Sequence, residues 1–297
     1  MQLELMIEGQ EDVTWEQWVA LARACEQHRI PTLFRSDHYL SVQGHEERGS
    51  LETWTTIAGL AAVTGALRFG VLVSPATFRH PSVLAKVVAA VDHISGGRVD
   101  LGLGAGWNER EHAALGFDFP PLGTRLELLE EQLEIVSGLW ADGPFSFSGR
   151  HYELSAVDAL PKPVQRPHPP IIIGGGAKPR TARMAARFAD EYNTVFATPA
   201  ECAERRAVCE AAWRDAGRDP LTLTFSHMGP WLPSTAADPD GTLGESADVA
   251  IFGSLEEAAA RLRAYRDAGV DRVMLQHQDH RDVDALAEIA QLAAALG

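Results

Sequence analysis

The segment SDHY, from Ser36 to Tyr39, places a histidine directly after a short apolar run. An imidazole titrates near neutral pH, so His38 could donate or relay a proton beside a bound cofactor. Asp37 stands next to it and is a candidate to orient its ring. A lone histidine that makes only a structural hydrogen bond is the alternative interpretation, and this motif alone leaves both open.

Glycines at alternate positions mark the segment DLGLGAGW, in which Gly102, Gly104 and Gly106 precede Trp107. A dinucleotide-binding turn needs the spacing GxGxxG, whose third glycine would fall at Trp107, so that interpretation fails. Alternate glycines leave bare backbone on one face of a sheet, which suits a flat ligand that lies close. Relief of crowding inside the fold accounts for the same pattern.

Three consecutive glycines, Gly174, Gly175 and Gly176, follow an isoleucine run and precede Lys178 and Arg180. A glycine-rich loop that enters a helix offers free backbone N–H groups and the positive end of the helix dipole to a phosphate. A tight turn between strand and helix is the alternative. The place of this loop after a predicted strand favours a phosphate site, to which Arg180 could add charge.

Other polar side chains also lie at predicted strand ends. Arg79 could hold an anionic group or tie down neighbouring backbone. A typical pocket uses only a few polar groups to fix the orientation of its ligand. The spacing of the acidic residues and histidines matches no metal site, and no serine-hydrolase motif occurs. The polar residues concerned are Glu8, Asn108, Glu109, Glu111, His112, Asn193, Gln276, His277 and Gln278.

Eight short apolar runs alternate with eight segments of helical periodicity, a pattern typical of parallel strands joined by helices. It predicts a (β/α)₈ TIM barrel, whose active site lies where the strand C-termini meet the βα loops. A doubly wound sheet is the alternative. The predicted strands are Leu3–Glu8, Pro31–Ser36, Arg68–Ser74, Arg98–Gly104, Pro170–Gly174, Asp190–Phe196, Leu221–Ser226 and Asp271–His277. The predicted helices are Thr14–His28, Leu51–Thr64, Pro81–Ser95, Leu122–Trp140, Pro179–Phe188, Pro199–Ala216, Ser254–Ala268 and Asp282–Leu296.

Three longer stretches interrupt this alternation. Asp37–Ser50 and His227–Gly253 are predicted loops after the second and seventh strands, of a length that usually serves as a lid or a binding loop. Within Asp142–Pro169, an alternating pattern around Ser148 and Gly149 predicts a small β-hairpin inserted before the fifth strand. No shift of composition divides the chain, so we predict one domain over residues 1–297.

The composition is that of an acidic globular protein, with a formal net charge of −15 and 45% hydrophobic residues. Such a charge disfavours nucleic acids and anionic membranes as partners. No apolar run reaches the length of a membrane span. The cysteines lack CxxC spacing, which indicates neither a disulfide framework nor a zinc site. We expect a cytoplasmic protein that binds a small-molecule substrate.

Five motifs occur together in the order and spacing of the luciferase-like monooxygenase superfamily: SDHY, LVSPATFRHPSVLAK, ISGGRVDLGLGAGWNEREHAALG, PKPVQRPHPPIIIGGG and ADEYN. In combination they resemble its branch of coenzyme F420-dependent oxidoreductases. The resemblance spans nearly the whole chain. It implies a barrel, commonly a homodimer, with a flavin-type ring across the C-terminal mouth.

The resemblance also implies roles for individual residues. The family's strand-two histidine matches His38, and its strand-three bulge, often with a non-prolyl cis peptide, falls near Val71 and Leu72. In the sugar-phosphate dehydrogenases of the family an acid follows the strand-four glycines directly, but Trp107 stands here, so that reaction is not transferred. The expected cofactor contacts are Asp37, Leu72, Val73, Gly104, Gly106, Asn108, Gly174, Gly175, Gly176, Arg180 and Asn193.

The function that the resemblance implies is hydride transfer between the deazaflavin of coenzyme F420 and a small organic substrate, with His38 as the acid or base. The cofactor carries the electron chemistry, and the protein holds it and supplies the proton. One alternative is an FMN-dependent monooxygenase that works with a separate flavin reductase. Another is a non-catalytic flavin-binding protein, which would have a collapsed substrate cavity beneath the loop at His227–Gly253.

Overall fold

Eight parallel strands close into a barrel in the computed structural model, which describes residues 1–236 and 243–297. The first strand pairs with the last along residues 2–6 and 272–276, which confirms the predicted TIM barrel and excludes an open, doubly wound sheet. The barrel strands are β1 (Gln2–Ile7), β2 (Thr32–Arg35), β3 (Arg68–Pro75), β4 (Val99–Gly104), β7 (Ile171–Gly174), β8 (Glu191–Val195), β9 (Thr224–Trp231) and β10 (Arg272–His277). Two further strands, β5 (Phe145–Ser148) and β6 (Glu153–Val157), pair antiparallel and form the hairpin predicted before the fifth barrel strand.

Helices cover the outside of the barrel, and the eight predicted helices all form. Their ends carry the expected chemistry: Ser254 and Glu257 make a reciprocal capping box, Pro81 starts its helix, and Gly96 ends that helix with a φ of +66°. Among the described residues no helix is both long and apolar enough to cross a membrane. The helices are α1 (Trp15–His28), α2 (Thr53–Val63), α3 (Pro81–Ser95), α4 (Glu109–Leu115), α5 (Leu122–Trp140), α6 (Pro179–Phe188), α7 (Pro199–Asp215), α8 (Leu255–Asp267) and α9 (Leu286–Ala295).

The strand β9 extends five residues beyond its predicted end at Ser226. Residues from His227 to Trp231 pair in register with β10, whose last residue, His277, lies opposite Trp231. Gly229 and Pro230 break the apolar pattern, so the sequence prediction stopped too early. The predicted loop His227–Gly253 is therefore wrong in its first five residues, and residues 237–242 of that loop lie outside the described residues.

The N-terminal end of the barrel interior is filled by charged side chains. The Arg272 guanidinium contacts Glu4 at 2.9 Å and Glu191 at 2.5 Å, and lies 3.7 Å from Asp100, which Arg68 also contacts. Burial raises the pKa of Glu191 to about 7, although Arg272 opposes this effect. This end of the barrel is therefore closed, and the opposite end is left for a ligand.

Candidate active site

A cavity of about 930 Å³ opens at the C-terminal ends of the barrel strands. Its lining includes residues at or just beyond the ends of all eight barrel strands. Ligand pockets commonly measure about 300–1,000 Å³, so this cavity has room for a cofactor ring and a small second molecule. Of the predicted site residues, those that line it are His38, Leu72, Val73, Gly104, Gly106, Gly174, Gly175 and Asn193. Those outside its lining are Asp37, Asn108, Gly176 and Arg180.

His38 is held by a carboxylate from a distant part of the chain. Its Nδ1 lies 2.7 Å from Oε2 of Glu111, whose side chain is fully buried. The other carboxylate oxygen of Glu111 accepts hydrogen bonds from the backbone N–H groups of Tyr39 and Leu40. Because an ionised carboxylate only accepts, Nδ1 carries the proton in this pair. Nε2 is left to exchange a proton, and the ring lines the cavity.

The electrostatics of this pair favour the charged forms of both groups. Burial lowers the pKa of the His38 imidazole, but the hydrogen bond and the negative charge of Glu111 outweigh burial, and the net pKa lies above its usual value. Burial raises the pKa of Glu111, but His38 and the two backbone N–H groups outweigh it and hold the net pKa below its usual range. His38 is thus suited to give up a proton near neutral pH.

The predicted role of Asp37 in orienting His38 is wrong. Asp37 bonds other side chains instead of the imidazole: it accepts a hydrogen bond from Ser74 Oγ at 2.6 Å and from Arg79 Nη1 at 2.5 Å. Arg79 also contacts Glu52 at 2.6 Å. Ser74 stands at the end of β3, so Asp37 fixes the strand beside the cavity. The anionic groups that Arg79 holds are thus carboxylates of the chain itself, and its guanidinium bonds side chains instead of the neighbouring backbone.

The helix α4, which carries Glu111, was not predicted from the sequence. Asn108 caps it, accepting a hydrogen bond from the Glu111 N–H at 3.4 Å. His112 donates from Nδ1 to the Asn108 carbonyl at 2.7 Å, and its Nε2 lies 2.6 Å from the Thr77 hydroxyl. Seven residues are too few to show helical periodicity. The spacing of Asn108 and Glu111 was the available signal, since an N-cap residue three positions before a glutamate is typical of a helix start.

The third strand carries the bulge and the cis peptide that the resemblance implies. The peptide bond between Leu72 and Val73 is cis, one residue beyond the expected place, and the pairing with β4 shifts between Val71 and Ser74. This bulge accounts for one of the strand-four glycines. A Cβ on Gly102 would lie 2.1 Å from the carbonyl oxygen of Val71, so crowding excludes any side chain there.

The other two strand-four glycines line the cavity. A Cβ on Gly104 would lie 2.6 Å from Cγ2 of Val73. Gly106 has a φ of +80°, a left-handed conformation that glycine adopts without strain. Bare backbone therefore faces the cavity at both positions. Local structure also favours glycine there, because Val73 crowds Gly104 and the φ of Gly106 is positive.

Two backbone N–H groups of the predicted phosphate loop are already bonded to the neighbouring strand β8. The N–H of Gly175 donates to the Asn193 carbonyl at 3.0 Å, and the N–H of Ala177 donates to the Tyr192 hydroxyl at 2.8 Å. Apart from Gly176 itself and its two chain neighbours, no heavy atom of the described residues lies within 4 Å of the place that a Cβ of Gly176 would take. The start of α6 has no side-chain cap, so this end of the loop fits an anion.

Arg180 lies on the first turn of α6, but its charge is partly engaged elsewhere. Its guanidinium is 3.7 Å from Glu130 and 3.4 Å from the carbonyl of Gly123. Both distances are long, and the side chain is about one-third exposed, at 38%. Such a surface pair contributes little energy and can exchange for another anion.

Asn193 supplies an unpaired polar atom at the cavity wall. Its side chain is fully buried, and its Nδ2 donates to Ser226 Oγ at 2.9 Å. Its Oδ1 has no hydrogen-bond partner among the described residues. A buried acceptor without a donor is costly, and an N–H group of a bound ring would satisfy it. The residues present therefore fit a heteroaromatic cofactor.

A closed α/β barrel with this cavity at its C-terminal mouth defines the class: a (β/α)₈ barrel, the fold whose enzymes carry their active sites in the βα loops. The sequence profile of the luciferase-like monooxygenase family matches residues 3–230, and the chain belongs to this family.

Known relatives include proteins that are named for two different cofactors. An uncharacterized protein of Mycobacterium tuberculosis (strain ATCC 25618 / H37Rv) is 29% identical over 294 residues, covering 93% of each chain. The F420-dependent hydroxymycolic acid dehydrogenase of the same strain is 31% identical over 206 residues, 69% of this chain and 56% of its own length. The FMNH(2)-dependent dimethylsulfone monooxygenase of Pseudomonas putida is 35% identical over 144 residues, 48% of this chain and 39% of its own.

The fold also resembles that of solved structures. The structure of an F420-dependent secondary alcohol dehydrogenase in complex with an F420-acetone adduct superimposes with a TM-score of 0.85, covers 100% of both chains and shares 18% sequence identity. At this identity the likeness concerns the fold.

Proposed function

We propose that the protein is a coenzyme F420-dependent oxidoreductase that transfers a hydride between the deazaflavin and a small organic substrate. The observation that carries this proposal is the pair of His38 and Glu111 at a cavity that fits a flat ring. When bound, the cofactor supplies or accepts the hydride. The F420-dependent relatives support this assignment.

His38 performs the proton step of this reaction. When a carbonyl carbon receives a hydride, its oxygen must take up one proton, and protonated Nε2 of His38 donates it. Glu111 keeps Nδ1 bound and stabilises the positive imidazole before the transfer. In the direction of alcohol oxidation, neutral Nε2 takes the hydroxyl proton as the hydride leaves carbon.

The remaining residues hold and orient the cofactor. Leu72, Val73 and Gly104 line the cavity and would contact one face of the ring, and Asn193 Oδ1, which has no partner among the described residues, would accept a hydrogen bond from a ring N–H. Gly176 and the first turn of α6 would hold the phosphate of the cofactor tail. A cytoplasmic homodimer remains part of the proposal, resting on composition and family resemblance, and sedimentation of the purified protein measures its oligomeric state.

An FMN-dependent monooxygenase is the second candidate, because a relative named for reduced FMN also matches this chain. The apolar residues Leu72, Val73 and Gly104 would accommodate the ring of either cofactor, and the phosphate loop would accommodate the phosphate of either. A non-catalytic flavin-binding protein is disfavoured, since it would have a collapsed cavity, whereas Pro230, Leu243 and Ser246 line an open one.

A parallel titration of the purified protein with F420 and with FMN separates the candidates. The fluorescence of each cofactor is followed as protein is added. We expect saturable quenching of F420 and a much weaker response of FMN. Tight FMN binding without an F420 response would replace the proposal with the monooxygenase, and no response to either would remove both.

A further inference from the structure

One wall of the cavity is a continuous row of polar side chains. Gln276 Nε2 donates to Glu8 Oε1 at 2.6 Å, and Gln278 Nε2 donates to Gln276 Oε1 at 3.1 Å. Gln43 Nε2 then donates to Gln278 Oε1 at 3.3 Å, and Arg48 Nη1 donates to Gln43 Oε1 at 3.0 Å. Gln276, Gln278 and Gln43, which we call the amide row, all line the cavity together with Glu8.

The direction of the amide row is set by its two ends. The ionised Glu8 carboxylate only accepts hydrogen bonds, so Gln276 must present its nitrogen to it. The Arg48 guanidinium only donates, so Gln43 must present its oxygen. Each of the three amide oxygens accepts one hydrogen bond within the row, and each amide nitrogen has a second N–H that takes no part in the row. An N–H without a partner is rarer in proteins than a carbonyl with a free lone pair, so the row is suited to bind an acceptor.

The charge of the cavity excludes one class of acceptor. Among the described lining residues there is no lysine or arginine, and the charged groups are Glu8 and the imidazole of His38. The charge of His38 is already balanced by Glu111. A carboxylate or phosphate in this cavity would lie near the Glu8 carboxylate and would meet no lysine or arginine of the described lining, which is unfavourable.

The other walls are mostly apolar. Leu72, Val73, Ala105, Val195 and Met228 line the cavity opposite to or around the row. They can contact hydrocarbon but offer no side-chain hydrogen bond. A molecule that fills the space beside the ring therefore needs an apolar body and a polar group on one side only.

We propose that the amide row selects a neutral substrate, one with an apolar body and an uncharged oxygen that accepts a hydrogen bond from Gln276 or Gln278. This inference rests on the function proposed above for the same cavity. It narrows the substrates to neutral ketones, aldehydes, alcohols and related compounds, and it excludes carboxylates and phosphates.

Binding of two probes of similar size tests the inference. The protein is first saturated with F420, and that step alone tests the proposed function. Cyclohexanone and cyclohexanecarboxylate are then titrated by calorimetry at neutral pH. We expect cyclohexanone to bind at least about tenfold more tightly, as one good hydrogen bond and an avoided buried charge imply. Equal or tighter binding of the carboxylate, or no binding of cyclohexanone to F420-loaded protein, overturns the inference and leaves the cofactor assignment standing.

One variant and its matched control test whether the amide row is what selects neutral over anionic substrates. Gln278→Lys places a cation at the exposed middle position of the row, and we expect it to strengthen carboxylate binding roughly tenfold. Gln2→Lys makes the same charge change at the exposed start of β1, at the other end of the barrel, and should leave both probes unchanged. An unchanged preference in Gln278→Lys contradicts the inference.

Gln276→Leu removes the buried donor with little change of volume. We expect cyclohexanone binding to weaken roughly tenfold while the affinity for F420 stays constant. If this variant does not fold, Gln278→Leu takes its place, because that side chain is exposed. A parallel loss of F420 affinity would assign the row to the cofactor instead of the substrate, and would contradict the inference.

Discussion

Replacing Glu111 with glutamine should remove the charge that keeps His38 protonated. The amide keeps the size of the side chain, and its oxygen can still accept from the N–H groups of Tyr39 and Leu40. It loses the charge-assisted bond to Nδ1 of His38, which is 2.7 Å long in a fully buried setting. Without that bond, burial dominates and the pKa of His38 falls.

The size of the effect follows from the kind of bond that is lost. Hydrogen bonds to charged groups contribute about 1.5–3 kcal/mol. Since 1.36 kcal/mol corresponds to a factor of ten, the protonation equilibrium of His38 should shift by about ten- to a hundredfold toward the neutral ring. Reduction of a carbonyl near neutral pH should slow by about the same factor, because protonated Nε2 is then scarce.

Two assays measure this prediction. A nuclear magnetic resonance titration of the His38 ring protons follows protonation without any substrate, and the pH profile of turnover follows its consequence. Glu109→Gln is the matched control, because Glu109 is exposed on the same helix and should leave both profiles unchanged. A Glu111→Gln protein whose His38 titrates as in the unaltered protein would refute the argument.

Three further changes test other parts of the structure. Gly176→Asp places a negative charge in the open part of the phosphate loop and should weaken F420 binding at least about tenfold, whereas the neutral Gly176→Asn should not. Equal F420 titration curves for the two variants would exclude a phosphate at this loop. Glu191→Gln should flatten the pH dependence of the free energy of unfolding. Because the pKa of Glu191 is raised from 4.5 to about 7, its contribution to stability is full below pH 4.5 and is lost as the pH rises through about 7, by up to about 3 kcal/mol. Urea titrations of both proteins at pH 5 and pH 8 measure this loss. Gly106→Val should lower the thermal midpoint of unfolding with or without cofactor, because a φ of +80° strains a β-branched residue. An unchanged midpoint together with lost F420 binding would instead assign this glycine to the cofactor alone.

The order of strands and helices was predictable because local signals agree along the chain. Strands such as Ile171–Gly174 are apolar on both faces, as expected for a parallel sheet covered by helices. Helix ends were marked by residues such as Pro81 and Ser254. The end of β9 was missed because Gly229 and Pro230 carry no strand signal, and pairing with neighbouring strands decides their conformation.

The partners in the site were harder to predict than its location. The ends of the strands placed His38, Val73, Gly104 and Asn193 at one mouth, since all parallel strands end on the same side. The contact between His38 and Glu111 joins residues 73 positions apart, and it depends on a short helix without periodicity. The amide row likewise joins Gln43 to Gln278, 235 positions away, which no local pattern reveals.

A crystal structure of the F420 complex tests the central claim most directly. We predict that the deazaflavin ring lies against Val73 and Gly104, with Asn193 Oδ1 accepting a hydrogen bond from it and Nε2 of His38 facing the remaining space above the ring. A ring bound outside this cavity, or a His38 whose Nε2 is turned away from it, would contradict the assignment of this site.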